Sequence, residues 1–274
     1  MSVELPKPED VGAFYDRFTK LFELLWGDSL HFGYWPNGST RGSIEEGQDR
    51  LTDLMMSKLD PGKGQRILDV GCGTGRATLR LADKCGCLVT AINISQQQIK
   101  AASRRGEKSY VSDRVRFDLA DAMALPFAKE SFDGAWAFES LLHMPILEKA
   151  LSEIHRVLEP ASRVVISDVV VRRPMSREDD AYYRQVFPVA PMPERDGYLA
   201  TLGAAGFSVQ EAIDITDDVA RTLTLTLENI DKLRAEIEEL YGAEIAGALK
   251  DSWSKCIGIH LASLGYFIFV ARKE

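Results

Sequence analysis

The chain has 274 residues, 33 Lys plus Arg against 41 Asp plus Glu for a net charge of −8, with 45% hydrophobic and 27% charged residues. This is soluble globular composition, near the upper size of a single core, and it reads as one domain with additions at its ends and in a loop rather than two equal domains. The acidic balance argues against nucleic acid or an anionic membrane surface as partner, since both need a basic face, and 11 Pro and 21 Gly are too few and scattered for a disordered or fibrous chain.

Met1–Asp10 is polar, carries Pro6 and Pro8, and lacks the basic-then-apolar order of a signal peptide. Val11–Trp26 places Phe14, Phe18, Leu21, Phe22 and Leu25 at helical spacing and is expected to be an amphipathic helix. Asp49–Leu59 is a second helix, stopped by Pro61-Gly62. The period then changes. Arg66–Val70 is a strand, Arg76–Lys84 a helix, Leu88–Ile94 a strand and Gln96–Arg105 a helix. Val115–Leu119 and Asp133–Phe138 are strands, Leu147–Leu158 a helix, and Arg163–Val171, Phe207–Ile215 and Tyr266–Arg272 strands. Strands alternating with helices predict a doubly wound parallel sheet with right-handed crossovers, whose ligands bind beyond the carboxyl ends of the strands. No apolar run reaches the ~18 residues of a membrane span. Four cysteines in a chain of this size suggest reduced, cytoplasmic thiols. Cys85 and Cys87 have no second pair at zinc-finger spacing and are expected at a buried strand edge.

The first chemical signal is Asp69-Val70-Gly71-Cys72-Gly73-Thr74-Gly75, a strand running into a glycine turn and a helix. Glycines at alternate positions let the backbone turn tightly and approach a ligand, and the helix beyond offers free N–H groups. The dinucleotide fingerprint fails because Arg76 stands where its third glycine belongs, and Ile92-Asn93-Ile94-Ser95 lacks the acidic ribose ligand at the end of the second strand. A phosphate loop fails for want of Gly-Lys-Ser/Thr.

The run ILDVGCGTG resembles the first motif of class I S-adenosylmethionine-dependent methyltransferases. The resemblance continues in Asp121-Ala122, in Leu125-Pro126-Phe127 leading to Ser131-Phe132-Asp133, and in Glu139–Met144, covering about Arg66–Val171. It narrows to small-molecule enzymes of the rebeccamycin sugar O-methyltransferase and tocopherol methyltransferase type through Tyr15–Thr19, Leu30–Trp35 and Gly265-Tyr266, and is weakest over Pro174–Trp253. It implies a Rossmann-like α/β fold with a seven-stranded, mostly parallel sheet and an antiparallel last strand. It divides the chain into a helical, aromatic lid (1–60), a cofactor core (61–172), an acceptor-binding cap with strand six (173–255) and a terminal strand (256–274).

The same resemblance implies that Gly71, Gly73 and Gly75 hold the methionine portion of S-adenosylmethionine and that Asp69 orders their loop. Ile94, Ser95 and Gln98 flank ribose and adenine. Asp121 bonds the adenine amino group, with Ala122 and Met123 against the ring; the plain alternative for Asp121 is a turn residue. Many class I enzymes carry an acid where Asn93 stands.

A third of the chain's aromatic residues fall between Phe14 and Trp35. Phe18 and Phe22 read as helix packing, whereas His31–Trp35 is not helical in pattern and suits a loop closing over a flat ligand, with faces favourable to a cationic sulfonium. Tyr15, Tyr34 and Trp35 are the lid candidates, Tyr15 toward the cofactor and Tyr34, Trp35 and Glu139 toward the acceptor.

Of the four histidines, His143 follows strand four on the ligand side and matches the catalytic histidine of the sugar O-methyltransferases, and so is the candidate general base. His155 reads as an exposed helix residue and His260 as a packed core histidine. Asp168 interrupts the apolar Val164–Val171 and needs a partner there; it orients His143, binds the acceptor hydroxyl, or is structural. Glu236, Glu238 and Glu239 read as a solvated face, and Val186–Pro193 as an acceptor-contact loop. No paired acidic metal ligands are seen. The leading expectation is metal-independent O-methylation of a sugar or polyketide hydroxyl, the alternative an N- or C-methyl transfer. The acceptor's identity and the choice between monomer and homodimer stay open.

Overall fold

The computed structural model describes residues 5–274; the reading of Met1–Glu4 lies outside the described residues. In chain order the elements are α1 (Pro8–Trp26), α2 (Ile44–Leu59), β1 (Arg66–Val70), α3 (Arg76–Cys85), β2 (Leu88–Asn93), α4 (Gln96–Glu107), β3 (Val115–Leu119), β4 (Phe132–Phe138) and α5 (Leu147–Val157). There follow β5 (Leu158–Val171), α6 (Arg177–Val186), α7 (Arg195–Ala204), β6 (Phe207–Asp214), α8 (Thr216–Val219), α9 (Arg221–Lys232), α10 (Arg234–Tyr241), α11 (Ala243–Ser263) and β7 (Leu264–Lys273).

The strand order is β3-β2-β1-β4-β5-β7-β6. β1 to β5 pair in parallel, and β7 lies antiparallel between β5 and β6. β1 has β2 on one side and β4 on the other, so the chain reverses its direction of winding there. That switch point opens a crevice at the carboxyl ends of β1 and β4. The expected seven-stranded α/β sheet is the observed one.

The inner strands are buried on both faces, as a parallel sheet covered by helices requires. Leu68, Val70, Ala135, Ala137, Val164 and Ile166 build one side of the core with α5 and α7, and Ile67, Trp136, Val165, Ile268 and Val270 the other with α1, α2 and α11. Helix α1 is fastened to the core by side chains of the β2–α4 junction. Ser95 Oγ and the Gln97 amide donate to Asp16 at 2.6 and 2.9 Å, and Gln98 Nε2 donates to Thr19 Oγ1 at 3.0 Å.

Several boundaries differ from the sequence reading. α2 begins at Ile44, because Ser43 and Glu46 form a reciprocal capping box. β5 begins at Leu158, the residues before Arg163 forming an irregular stretch against β4. The segment from Cys256 to Ser263 is helix rather than terminal strand: Trp253, Cys256, Ile257 and His260 share one buried face of α11 at i, i+3, i+4 and i+7, and the strand starts at Leu264. Cys85 closes α3, whereas Cys87 is buried before β2. His155 is half-buried against Phe207, their ring centroids 5.1 Å apart. Glu236, Glu238 and Glu239 are exposed, as expected. Among the described residues no helix is long and apolar enough to cross a membrane.

Gly75 begins α3 with φ +84°, and a Cβ there would stand 2.9 Å from both Ala102 Cβ and Phe117 Cε1. Gly75→Ala combines left-handed strain with overpacking and is expected to cost about 2–4 kcal/mol of stability, read from a denaturant midpoint; an unchanged midpoint would refute this packing.

Candidate active site

The β1–α3 turn is held by the Gly71 and Cys72 amides, which donate to the Ile92 carbonyl at 2.9 and 3.0 Å. Its glycines serve different ends. A Cβ on Gly71 would stand 2.2 Å from Ser140 Cβ, so that glycine lets the turn touch the end of β4. Gly73, at φ +56°, has nothing within 4 Å of a Cβ position and borders open space. Asp69 lies beneath the turn, 2% exposed, accepting from Thr78 Oγ1 at 2.6 Å. Burial pushes its carboxyl up to about 6. Asp69 therefore ties β1 to α3 and borders no ligand space.

The crevice holds a cavity of about 720 Å³, counting its open mouth, lined by Gly71, Gly73, Asn93, Ile94, Gln98, Asp121, Ala122, Met123 and Ser140. Asn93 Oδ1 accepts from the Ile94 amide at 2.7 Å and Nδ2 donates to Gln98 Oε1 at 2.6 Å. Asp121 Oδ1 accepts from the Met123 amide at 2.8 Å, a local turn, and its second carboxylate oxygen has no partner among the described residues. Ser95 is fully buried under α1 and caps α4, outside the cavity lining.

A second cavity of about 770 Å³, similarly counted, adjoins the first and shares Tyr15, Leu30, Glu139 and His143 with it. Its walls are Phe22, Trp26 and Phe32 from the N-terminal segment, Val169 of β5, Tyr183, Phe187 and Val189 after β5, Leu223 of α9, and Trp253, Cys256, Ile257 and His260 of α11. The sequence reading missed most of the cap residues here; the 3–4 spacing of apolar residues along α11 was their one local signal.

His143 stands at the junction of the two cavities, in a short 3-10 turn after β4. Its Nδ1 lies 2.8 Å from the Pro188 carbonyl, and its Nε2 lies 2.8 Å from the Tyr15 hydroxyl. A carbonyl can only accept, so Nδ1 carries the hydrogen and Nε2 offers a lone pair to the Tyr15 O–H. Burial lowers the ring's pKa to about 4, partly offset by the Pro188 bond. His143 is thus a neutral imidazole with its tautomer set by the backbone. The Pro-rich stretch also reaches this turn through the Ala190 amide, which donates to the Leu142 carbonyl at 2.8 Å.

Glu139 follows β4 with φ +45°, a conformation that disfavours side chains. One carboxylate oxygen accepts from the Phe32 amide at 2.7 Å and from the Tyr266 hydroxyl at 2.6 Å. Burial, with a smaller contribution from Asp168, pushes Glu139 up to about 8.

Asp168 borders neither cavity and makes no bond to His143. It accepts from the Tyr198 hydroxyl at 3.0 Å, the Val169 amide at 2.9 Å and the backbone of Leu142, and burial raises it to about 7. This is the structural alternative of the sequence reading, and it acts on His143 only by holding the preceding residue.

Tyr34 and Trp35, expected at the acceptor, also border neither cavity. Trp35 is 1% exposed, seated where any Cβ on Gly33 or Gly47 would fall within 2.5 Å of its ring, with the Arg50 and Arg221 guanidinium carbons 5.7 and 6.0 Å from its centroid. Small neighbours left a slot that a large ring fills. The His31–Trp35 loop is tied down by Gln48, Thr222 and Glu139, and of its rings Phe32 faces the second cavity. Among the described residues, no group of three His, Cys, Asp or Glu is placed to hold a metal ion.

A switch-point crevice with a glycine turn, beside an apolar cavity, is the arrangement of a doubly wound α/β fold with room for two ligands side by side. A methyltransferase domain model matches residues 68–166. The chain is 34% identical to a (+)-O-methylkolavelool synthase of Herpetosiphon aurantiacus, over 100% of this chain and 99% of that protein. It is 36% identical to a 27-O-demethylrifamycin SV methyltransferase of Amycolatopsis mediterranei, over 98% of each. Among solved structures, a [4+2]-cyclase, SpnF, superposes with TM-score 0.85 at 32% identity, covering 100% of this chain and 99% of that one. A mycolic acid cyclopropane synthase complexed with SAH shares the fold, with TM-score 0.87 at 20% identity over 98% and 99% of the two chains. The chain belongs to the class I S-adenosylmethionine-dependent methyltransferases. Its cofactor is S-adenosylmethionine, and its chemistry is methylation of small molecules of secondary metabolism.

Tyr198→Phe removes one donor from Asp168 without opening a cavity. It is expected to lower stability by about 1 kcal/mol while kcat stays within about twofold; a kcat loss outrunning the stability loss would tie Asp168 to the chemistry instead.

Proposed function

We propose that the chain methylates a hydroxyl group of an apolar acceptor, with His143 as general base. The observation that carries this reading is the position of His143 at the meeting point of the two cavities, with Nδ1 2.8 Å from the Pro188 carbonyl and Nε2 2.8 Å from the Tyr15 hydroxyl. S-adenosylmethionine, when bound, supplies a methyl group already activated on a sulfonium, so this chain's residues must align the acceptor and remove its proton.

The residues of the first cavity fit the cofactor. The open backbone at Gly73 leaves room for the methionine portion, and Gly71 brings the turn to β4. The unpartnered oxygen of Asp121 suits the adenine amino group, with Ala122 and Met123 beside the ring and Ile94 and Gln98 toward the ribose. Asn93 spends its side chain on Ile94 and Gln98, so ribose recognition rests less on it than on an acid in that position.

The acceptor belongs in the second cavity. Its aromatic and aliphatic walls favour a polyketide- or terpenoid-type body over a bare sugar, because each unpaired sugar hydroxyl buried there would lose its water without recompense. As the acceptor oxygen takes the methyl group, its O–H bond breaks. The proton passes to Tyr15, and the Tyr15 proton to Nε2, leaving an imidazolium whose Nδ1–H remains on Pro188. Glu139, strained and buried, shapes the junction and holds Phe32 over the acceptor. The closed His31–Trp35 loop and α1 keep bulk water from both groups.

His143→Ala is expected to lower kcat by about 10²–10⁴-fold while S-adenosylhomocysteine binding, measured by calorimetry, stays near wild type. Full turnover in that variant would remove His143 from the chemistry.

The base works only when neutral, and its pKa lies near 4. Turnover is therefore expected to stay level as pH falls through 6.5 and to drop only near 4. The same lowered pKa costs stability between about 6.5 and 4, because the unfolded ring takes the proton first; circular dichroism at each pH separates the two effects. A fall in kcat centred near 6.5 in folded protein would contradict the assignment.

A further inference from the structure

Among the described residues, the His260 ring and the Tyr183 hydroxyl line the second cavity without a hydrogen-bond partner in the chain, and of the two only the ring offers both a donor and a basic acceptor nitrogen. His260 of α11 is 3% exposed, and its ring nitrogens have no hydrogen-bond partner among the described residues. It packs against Phe32, their centroids 5.5 Å apart. Burial alone lowers its pKa, to about 4, so the ring is neutral and presents one donor and one acceptor. His31, the other buried histidine of this region, uses Nδ1 on the Phe32 carbonyl, and His143 uses both nitrogens. The His260 nitrogens therefore face cavity space rather than packed protein, where a ligand or an ordered water can complete their hydrogen bonds.

Position gives this group a direction. His143 borders both cavities, whereas His260 borders the second cavity and an outer pocket beside Arg172 and Arg173. His260 thus lies at the end of the acceptor space away from the cofactor, with Phe32, Leu223 and Ile257 along the wall.

We infer that His260 recognises a second oxygen, a hydroxyl or carbonyl, on the far end of an apolar acceptor whose near hydroxyl meets Tyr15 and His143. This rests on the reading of the second cavity as the acceptor site. The acceptor class is then an apolar molecule oxygenated at two separated positions. A neutral ring bonds an uncharged oxygen without desolvating an ion, so a carboxylate there is disfavoured.

Straight-chain 1-alkanols and the matching α,ω-diols, eight to fourteen carbons long, are suitable probes. Binding is measured in the presence of S-adenosylhomocysteine by fluorescence of Trp26 and Trp253, which line the cavity, and methyl transfer separately by mass spectrometry with S-adenosylmethionine. The wild-type chain is expected to bind the diol of best-fitting length roughly three- to tenfold more tightly than its mono-alcohol. In His260→Leu the ratio falls to one or below, since the second hydroxyl then enters an apolar pocket unpaired, and His260→Gln restores part of it. Wild-type ratios at or below one at every length would mean that water, not the acceptor, serves His260, and would overturn the inference. So would a diol preference that survives His260→Leu. Diol preference without any methylated product would leave His260 recognition standing and sink the hydroxyl-methylation reading.

Discussion

The structure turns on one hydrogen-bonded chain, from the Tyr15 hydroxyl to His143 Nε2 and from His143 Nδ1 to the Pro188 carbonyl. Its three members come from α1, the end of β4 and the loop after α6, and they meet where the two cavities join. The chain works because Pro188 contributes an oxygen that cannot donate. That fixes the imidazole tautomer without a carboxylate and leaves Nε2 basic in a setting where burial keeps the ring neutral. A carboxylate in place of that carbonyl would raise the ring's pKa; here the ring stays neutral through the whole physiological range.

The surroundings support that chain at some cost in local strain and in the burial of two carboxyl groups. Glu139 is held in left-handed backbone with its carboxyl raised to about 8, and Asp168 is buried beneath the turn with its own raised to about 7. Both acids are served by donors that bind distant segments together: Phe32 and Tyr266 for Glu139, Tyr198 and Leu142 for Asp168. They connect the ends of β4 and β5 to α7, β7 and the N-terminal loop. The second cavity is thus cross-linked by hydrogen bonds where it meets the first and walled by apolar rings elsewhere, which fits the proposed site, one that orients its substrate before displacement.

The cofactor half of the site was legible from sequence because its signals are local. A strand ending in three alternating glycines, followed by a helix, points to a tight turn from local sequence alone, and the strand–helix alternation points to a doubly wound parallel sheet. The second cavity was legible only in part: Glu139 and the Val186–Pro193 loop, expected at the acceptor, do reach it through Glu139, Phe187 and Val189, but most of its other residues owe their place to distant neighbours. Trp35 resembles a lid ring in sequence, but Gly33 and Gly47 make a slot that buries it away from both cavities. Asp168 looks like a partner for His143, yet Tyr198, thirty residues on, claims it. His260 reads as core, and its burial is real; its missing partner appears only once α11 is packed against the N-terminal segment. The strand read at Tyr266–Arg272 lies within β7, but the terminal segment was begun too early at Cys256, because the apolar face of α11 continues into β7 without a turn.

The account's central claim is the protonation pattern of His143, and nitrogen-15 NMR of the ring tests it directly. With the chain folded at neutral pH, the prediction is a neutral imidazole with hydrogen on Nδ1 and a bare, hydrogen-bonded Nε2, assigned by the loss of its signals in a His143 variant. An imidazolium, or a neutral ring with its hydrogen on Nε2, would contradict it.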